Sequence, residues 1–362
     1  MNLKSKQRIF LTVLLGISLL QSAAAEIQLT DMESKISAEE YKGITSVLVQ
    51  QESQLRYEKY FNRSNANQLN DIRSASKSIT AILFGQAMAQ GLFESTKQTV
   101  LPVFDDKLPI QNAFDAKSTM SFEDLLMMSS PLECNDMEHF SAGNEERMYL
   151  RKDWEQFVLD LPERGTPPWE TPDDELPFGR SFAYCTGGVF LVGAAIERRS
   201  KLPLDQFAQK HLLDPLGITQ ATWPRSPLGI VQGGGGARFR SQDLIKLGQM
   251  ILNRGQFAGQ QVVPADWVDA MLTRRVTAMA DRKIDYGYLW WIYEFEKQGQ
   301  TIVAYAAAGN GGNYLFVVPR LNAVVVVTAT AYNTPYMHKQ SQAIFSEHVL
   351  PALTWPKPAS PQ

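Results

Sequence analysis

The sequence predicts an α+β protein in which an antiparallel sheet, built from both ends of the chain and flanked by helices, carries a helical insertion. Two observations lead there. Strand segments separated by short turns occupy the first part of the chain and its last third, and apolar residues at helical spacing fill the stretch between.

Taken in order, Ile44 to Gln50 and Leu55 to Phe61 read as strands, joined by the polar turn Gln51-Glu52-Ser53-Gln54. From Ser76 to Gln90 the pattern turns helical. Ile79, Ile82, Leu83, Gln86 and Ala87 make one face and Ala81, Phe84 and Met88 another, and a helix apolar on most sides is a buried one. Gly91 supplies its stop. Phe122 to Met128, Trp154 to Leu161, Gly188 to Arg198 and Leu204 to Leu213 also carry helical spacing. The proline-bearing stretch from Pro167 to Glu175 is a polar loop. Its acidic residues are a solvated rim and not a metal site, because no histidine or regular ligand spacing accompanies them. Gly233 to Gly236 lacks the flanking elements and the Lys-Ser/Thr ending of a phosphate loop, so it reads as a tight loop. Leu289 to Tyr293, Thr301 to Ala306, Tyr314 to Val318 and Ala323 to Ala329 are the returning strands, and Ala343 to Leu353 a closing helix.

A chain of 362 residues, 44% hydrophobic and 20% charged, has the make-up of a folded domain with a large core. Its length suits one big unit or two intimate lobes. A net charge of −3 without basic blocks argues against nucleic acid. At the N-terminus Lys4, Lys6 and Arg8 precede an apolar run from Ile9 to Leu20, and Ser22-Ala23-Ala24-Ala25 follows. That order is the one of a secretory signal over residues 1–25. The run is shorter than the ~20 residues that span a bilayer, and Glu26 leaves no cysteine for lipidation at the cut. The expectation is a secreted, periplasmic product without a membrane anchor. Its two cysteines, Cys134 and Cys185, are expected to pair in such a compartment; the alternative is two independent buried thiols.

The chemistry starts at Ser74-Ala75-Ser76-Lys77. A nucleophilic serine needs a base and a pair of donors for the oxyanion. None of the four histidines, His139, His211, His338 and His348, has a catalytic setting, and no G-x-S-x-G elbow is present. Lysine can serve as base where burial disfavours its charged form. Residues at i and i+3 share a helix face, so Lys77 can reach the Ser74 hydroxyl, and Ser74 sits at a helix start whose dipole favours negative charge. S-x-x-K by itself arises about once by chance in a chain this long, and its bland reading is a capping serine beside a solvated lysine.

Three ordered stretches change that balance: Asp71-Ile72-Arg73-Ser74-Ala75-Ser76-Lys77-Ser78, Phe182-Ala183-Tyr184-Cys185-Thr186, and Ala308-Gly309-Asn310-Gly311-Gly312-Asn313. With them the chain resembles the beta-lactamase-related serine hydrolases, the superfamily of penicillin-binding proteins, certain esterases and 6-aminohexanoate-dimer hydrolases. Leu213-Asp214-Pro215-Leu216-Gly217-Ile218 is a further phrase such proteins carry, and weaker similarity runs from about 40 to 350. The resemblance implies a beta-lactamase/transpeptidase-like fold with no cofactor. It also implies a single catalytic unit over 26–356, with a sheet lobe at about 26–80 and 232–356, a helical lobe at about 81–231, and a tail at 357–362. It makes Ser74 the nucleophile, Lys77 its proton acceptor and Tyr184 the group that shares base duty and protonates the leaving group. Gly309 lies on the strand against which substrate rests, and the main-chain N–H groups of Ser74 and Asn310 form the oxyanion hole.

The departures from the pattern narrow the substrate. Ala307-Ala308-Gly309 stands where penicillin-recognising members carry Lys-Thr-Gly, and Cys185-Thr186 ends the second motif where many lactamases have asparagine. The expected function is hydrolysis of ester or linear amide bonds in a small molecule or peptide, closest in look to the aminohexanoate-dimer branch. The alternatives are a D,D-peptidase or weak beta-lactamase, and a catalytically idle binding protein. Trp290, Trp291, Tyr293 and Tyr305 are candidates to line an acyl pocket, with core packing as the competing reading.

Overall fold

The computed structural model describes residues 26–165 and 182–356. The expected signal at 1–25, the loop at 167–175 and the tail at 357–362 lie outside the described residues.

Eight antiparallel strands form the central sheet: β1 (Ile44–Gln51), β2 (Gln54–Tyr60), β3 (Val276–Met279), β4 (Ile284–Tyr286), β5 (Trp291–Lys297), β6 (Gln300–Gly309), β7 (Asn313–Val318) and β8 (Ala323–Ala329). Their spatial order is β2-β1-β8-β7-β6-β5-β4-β3. The first hairpin of the chain docks on its last strand, Ile44 opposite Ala329 and Gln51 opposite Ala323, so both chain ends build one sheet as the sequence predicts. Every residue of β1, β7 and β8 is buried. These strands are covered on both faces, which is why they read as apolar runs and not as alternations. At the edge, β2 buries only Tyr57, and its Arg56, Glu58 and Lys59 give a charged outer strand whose Arg56 O takes one further main-chain bond, from the Ile27 N–H at 3.0 Å.

Helices α1 (Thr30–Ser37), α2 (Ser76–Ala89), α3 (Thr186–Ser200) and α4 (Ser241–Leu252) frame the sheet. α4 lies on β7 and β8 at close range: a Cβ on Gly248 would sit 2.4 Å from Val324 Cγ1. α2 is the central helix, held between β6 and α3, and Ser76 to Ala87 are buried without interruption. Burial obliges its polar side chains to find partners. Ser76 Oγ donates to the Arg73 carbonyl at 2.6 Å, Ser78 Oγ to Leu289 at 2.6 Å and Thr80 Oγ1 to Gly233 at 2.7 Å. The helix stops as expected at Gly91, where φ is +73°. The Gly91 N–H bonds Met88 O and the Leu92 N–H bonds Ala87 O, a Schellman ending that a glycine permits.

Three strands differ from the sequence reading. The expected strand at Leu289 begins at Trp291, because Leu289 takes a left-handed conformation (φ +58°) in the turn where Gly287 N–H bonds Trp290 O. β3 and β4 were not anticipated, being short and separated by the charged Asp281-Arg282-Lys283. The expected helix from Leu204 becomes a short α-helix (Leu204–Ala208) continued by a wider π-turn to Leu213.

Candidate active site

The site is assembled at the entrance to α2. Asn70–Asp71 pairs with Arg238–Phe239, and the next residue, Ile72, donates its N–H to Ala237 O at 3.0 Å. Arg73 then turns left-handed (φ +50°), a conformation costing a non-glycine residue about 1–3 kcal/mol. The neighbours fix it there. The Arg73 N–H bonds Asp71 Oδ1 at 3.0 Å, its guanidinium pairs with Asp71 at 3.2 Å and packs over the Tyr332 ring at 4.7 Å. Arg73–Ala75 makes one 3₁₀ turn that feeds α2, so Ser74 stands just before the α-helix proper and caps nothing.

Ser74, Lys77 and Tyr184 meet. Lys77, 1% exposed, donates from Nζ to Ser74 Oγ at 2.9 Å and to Gly234 O at 2.6 Å. The same nitrogen lies 4.7 Å from the centroid of the Tyr184 ring. That ring stacks on Trp291 at 5.7 Å. Burial pushes the Tyr184 phenol above its ordinary pKa, while the Lys77 charge and a hydrogen bond with Ser74 oppose that shift.

Gly309, the last residue of β6, packs against the turn that carries Ser74. A Cβ there would lie 2.0 Å from Ile72 O and 3.0 Å from Ala75 N, so only glycine lets the strand come this near. Asn310 follows, and a reciprocal pair holds it: its Nδ2 donates to Asn333 Oδ1 at 2.7 Å and its Oδ1 accepts the Asn333 N–H at 2.9 Å. The glycine run 233–236, read as a tight loop, forms a wall of the site. Gly234 O receives Lys77, and Gly235 and Gly236 face the cleft. Only the need for close main-chain approach hints at this in the sequence.

Two cavities, about 590 Å³ and about 250 Å³, share Ser74, Glu145 and Asn310. The larger is polar and apolar in equal measure, with Asp71, Arg73, Glu146 and Arg238 beside Trp154 and Trp223. The smaller holds Tyr184 and is mostly apolar, with Trp291, Tyr293, Tyr314, Met279 and Met337. Of the four aromatic candidates, Trp291 and Tyr293 line the smaller lobe. Trp290 is core, 1% exposed, and Tyr305 faces another groove, beside Arg274. His338, set aside in the sequence, lines the same lobe. Burial and the Arg282 charge lower its pKa to about 4, and its Nδ1 shares a hydrogen bond with the Tyr314 hydroxyl at 2.8 Å. His211 packs on Phe207 and His348 on Tyr41, both remote from this lining, while His139 is exposed. Cys134 and Cys185 are disulfide-bonded, with Cα atoms 5.3 Å apart. Asp136, Glu145 and Arg282 are cleft residues without a sequence signal, since their partners are distant in the chain. Among the described residues no group of three or more His, Cys, Asp or Glu could hold a metal ion, and no helix is long and apolar enough to cross a membrane.

Solved structures of similar fold include a protein assigned as a 6-aminohexanoate-dimer hydrolase from Bacillus anthracis, 18% identical, with 86% of this chain and 80% of that one covered and a TM-score of 0.69. A penicillin-binding protein from Bacillus halodurans is 18% identical over 88% of this chain and 100% of its own, at a TM-score of 0.64. A D-stereospecific amidohydrolase from Streptomyces is 13% identical over 88% and 98%, at 0.65. At such identities the likeness is one of fold. No curated protein matches the chain in sequence. The Beta-lactamase family matches residues 39–348, well over half of the length, and the chain belongs to that family.

Proposed function

We propose that the protein is an exported serine hydrolase of ester or linear amide bonds, working through an acyl-enzyme on Ser74. The observation that carries this is the 2.9 Å contact between Lys77 Nζ and Ser74 Oγ, with the Tyr184 ring beside it. Lys77, as the neutral amine, takes the hydroxyl proton while Oγ attacks the carbonyl carbon. The N–H groups of Ser74 and Asn310 hold the oxyanion. Tyr184, on the side of the smaller lobe, gives its proton to the departing alcohol or amine and recovers one through Lys77. A water molecule then repeats the sequence on the acyl-enzyme, with the same groups removing its proton and returning it to Ser74.

Ala307 and Ala308, both buried, stand where a lysine and a hydroxyl would engage a substrate carboxylate. This supports simple esters and amides over penicillin-type substrates. Residues 26–356 act as one catalytic unit in this reading. Export rests on the pattern of residues 1–25 and agrees with the disulfide. The test is turnover of short-chain nitrophenyl esters, nitrocefin and a D-Ala-D-Ala peptide, with fluorophosphonate labelling of Ser74. Ester hydrolysis with labelling is expected. Preferred turnover of nitrocefin or the peptide would favour the D,D-peptidase or lactamase alternative, and no turnover and no label would favour a binding protein.

A further inference from the structure

The segment Cys134-Asn135-Asp136 ties down all three residues of Tyr184-Cys185-Thr186. The Asp136 N–H donates to Tyr184 O at 2.7 Å. Cys134 is bonded to Cys185. The Thr186 N–H, at the first residue of α3, donates to Asp136 Oδ2 at 2.7 Å. The other carboxylate oxygen accepts the Glu145 N–H at 2.8 Å. With each oxygen held by a main-chain donor, the carboxylate has one orientation. It lines the smaller lobe together with Ser74 and Tyr184.

The charged and titratable groups that face it are Lys77 from α2, Glu145 and Tyr149 from the short helix Glu145–Tyr149, and Tyr184 itself. Burial raises the Asp136 pKa, as does the Glu145 charge, while Lys77 lowers it. Lys77 is all but inaccessible, so the interaction between it and Asp136 is little screened by solvent.

We propose that Asp136 is a positioning residue that clamps Tyr184 over Lys77 and sets a fixed negative charge against Lys77. The unit around the nucleophile then has four members: Ser74, Lys77, Tyr184 and Asp136. This rests on the serine-hydrolase reading above. Nothing in the chain around Asn135-Asp136-Met137 marks it, since Thr186, whose N–H it holds, lies 50 positions away.

The test compares Asp136→Asn and Thr186→Pro with the unaltered protein, rates being expressed per fluorophosphonate-titrated Ser74. Asp136→Asn removes the charge at nearly constant shape and, because its amide NH2 cannot accept, also removes one of the two main-chain hydrogen bonds, a loss that Thr186→Pro reproduces without the charge change. It is expected to lower kcat about 10- to 100-fold with KM within about threefold. It also moves the acid limb of the kcat/KM profile to lower pH, because an anion beside the proposed base is lost. Thr186→Pro deletes one of the two hydrogen bonds at the first turn of a helix, where proline is tolerated. It is expected to lower kcat with the acid limb unmoved. An unmoved acid limb in Asp136→Asn, or a titrated kcat within about twofold of the parent, overturns the proposal; a purely structural role predicts that result. If Asp136→Asn fails to fold, Thr186→Pro decides alone, and an undiminished titrated kcat there overturns it. Ser74→Ala in parallel separates the two readings, because hydrolysis surviving in that variant removes the serine-hydrolase reading itself.

Discussion

Lys77 Nζ bridges the Ser74 hydroxyl at 2.9 Å and the Gly234 carbonyl at 2.6 Å, one contact reaching the proposed nucleophile and the other fixing the proposed base to the glycine loop. The amine is thereby aimed by main chain and needs no flexible partner. Lys77→Met keeps the volume of a residue that is 1% exposed and removes the proposed proton acceptor. Loss of a general base costs about 10²–10⁴ in rate, so kcat on a nitrophenyl ester falls by about 10³-fold. Circular dichroism checks that the helical signal survives. A variant keeping more than a tenth of the rate would remove Lys77 from the mechanism.

Gly309→Ala tests how the strand meets the nucleophile turn. The added methyl would lie 2.0 Å from Ile72 O, a main-chain atom that cannot swing aside. The strand must retreat, carrying Asn310 with it. Overpacking of this kind costs about 1–3 kcal/mol, and displacement of a transition-state donor costs about 10²-fold in kcat. Urea unfolding and steady-state kinetics measure the two losses separately. Full activity with lowered stability would detach Asn310 from the oxyanion.

The parts of this site that were legible in the sequence are those whose chemistry is written in short segments. Ser74 and Lys77 lie one turn apart, and Gly309-Asn310 follows an apolar strand. The central strands were legible because full burial makes them continuous apolar runs, as in Ala323–Ala329. β3 and β4 were not, being three or four residues long around charged Arg282 and Lys283. Asp136 and His338 were hidden for another reason. One acts through main-chain partners near residue 186, the other through Tyr314, and neither relationship has a local pattern.

His338 makes stability depend on acidity. Its pKa falls from 6.5 to about 4 in the folded protein, first through burial and then through the Arg282 charge. The neutral ring is therefore the folded form. Between about pH 6.5 and pH 4 the unfolded chain binds the proton and the folded chain resists it, so stability is lost as pH drops through that window. At about 1.4 kcal/mol per unit, the loss approaches 3 kcal/mol. His211 and His348 are also lowered, mainly by burial, and add to the same slope. Urea midpoints across this range should fall towards acid in the parent and fall less in His338→Asn. Equal slopes in the two proteins would show that His338 is not the sensor.

The disulfide offers the last measurement. Cys134 and Cys185 close a loop of 51 residues, for which chain entropy assigns about 4 kcal/mol of stabilisation. The bond also joins the segment bearing Asp136 to the residue after Tyr184, so its loss should act on two readouts. In Cys134→Ser/Cys185→Ser the urea midpoint is expected to drop by the equivalent of about 4 kcal/mol. The per-site kcat is expected to fall while KM for a small ester stays within about threefold, because the proposed role of Tyr184 is at the leaving group and not in the bulk of substrate binding. Reduction of the parent protein under native conditions should reproduce both changes. A lower midpoint with an unaltered kcat would leave the bridge a purely structural staple and place the positioning of Tyr184 on Asp136 alone.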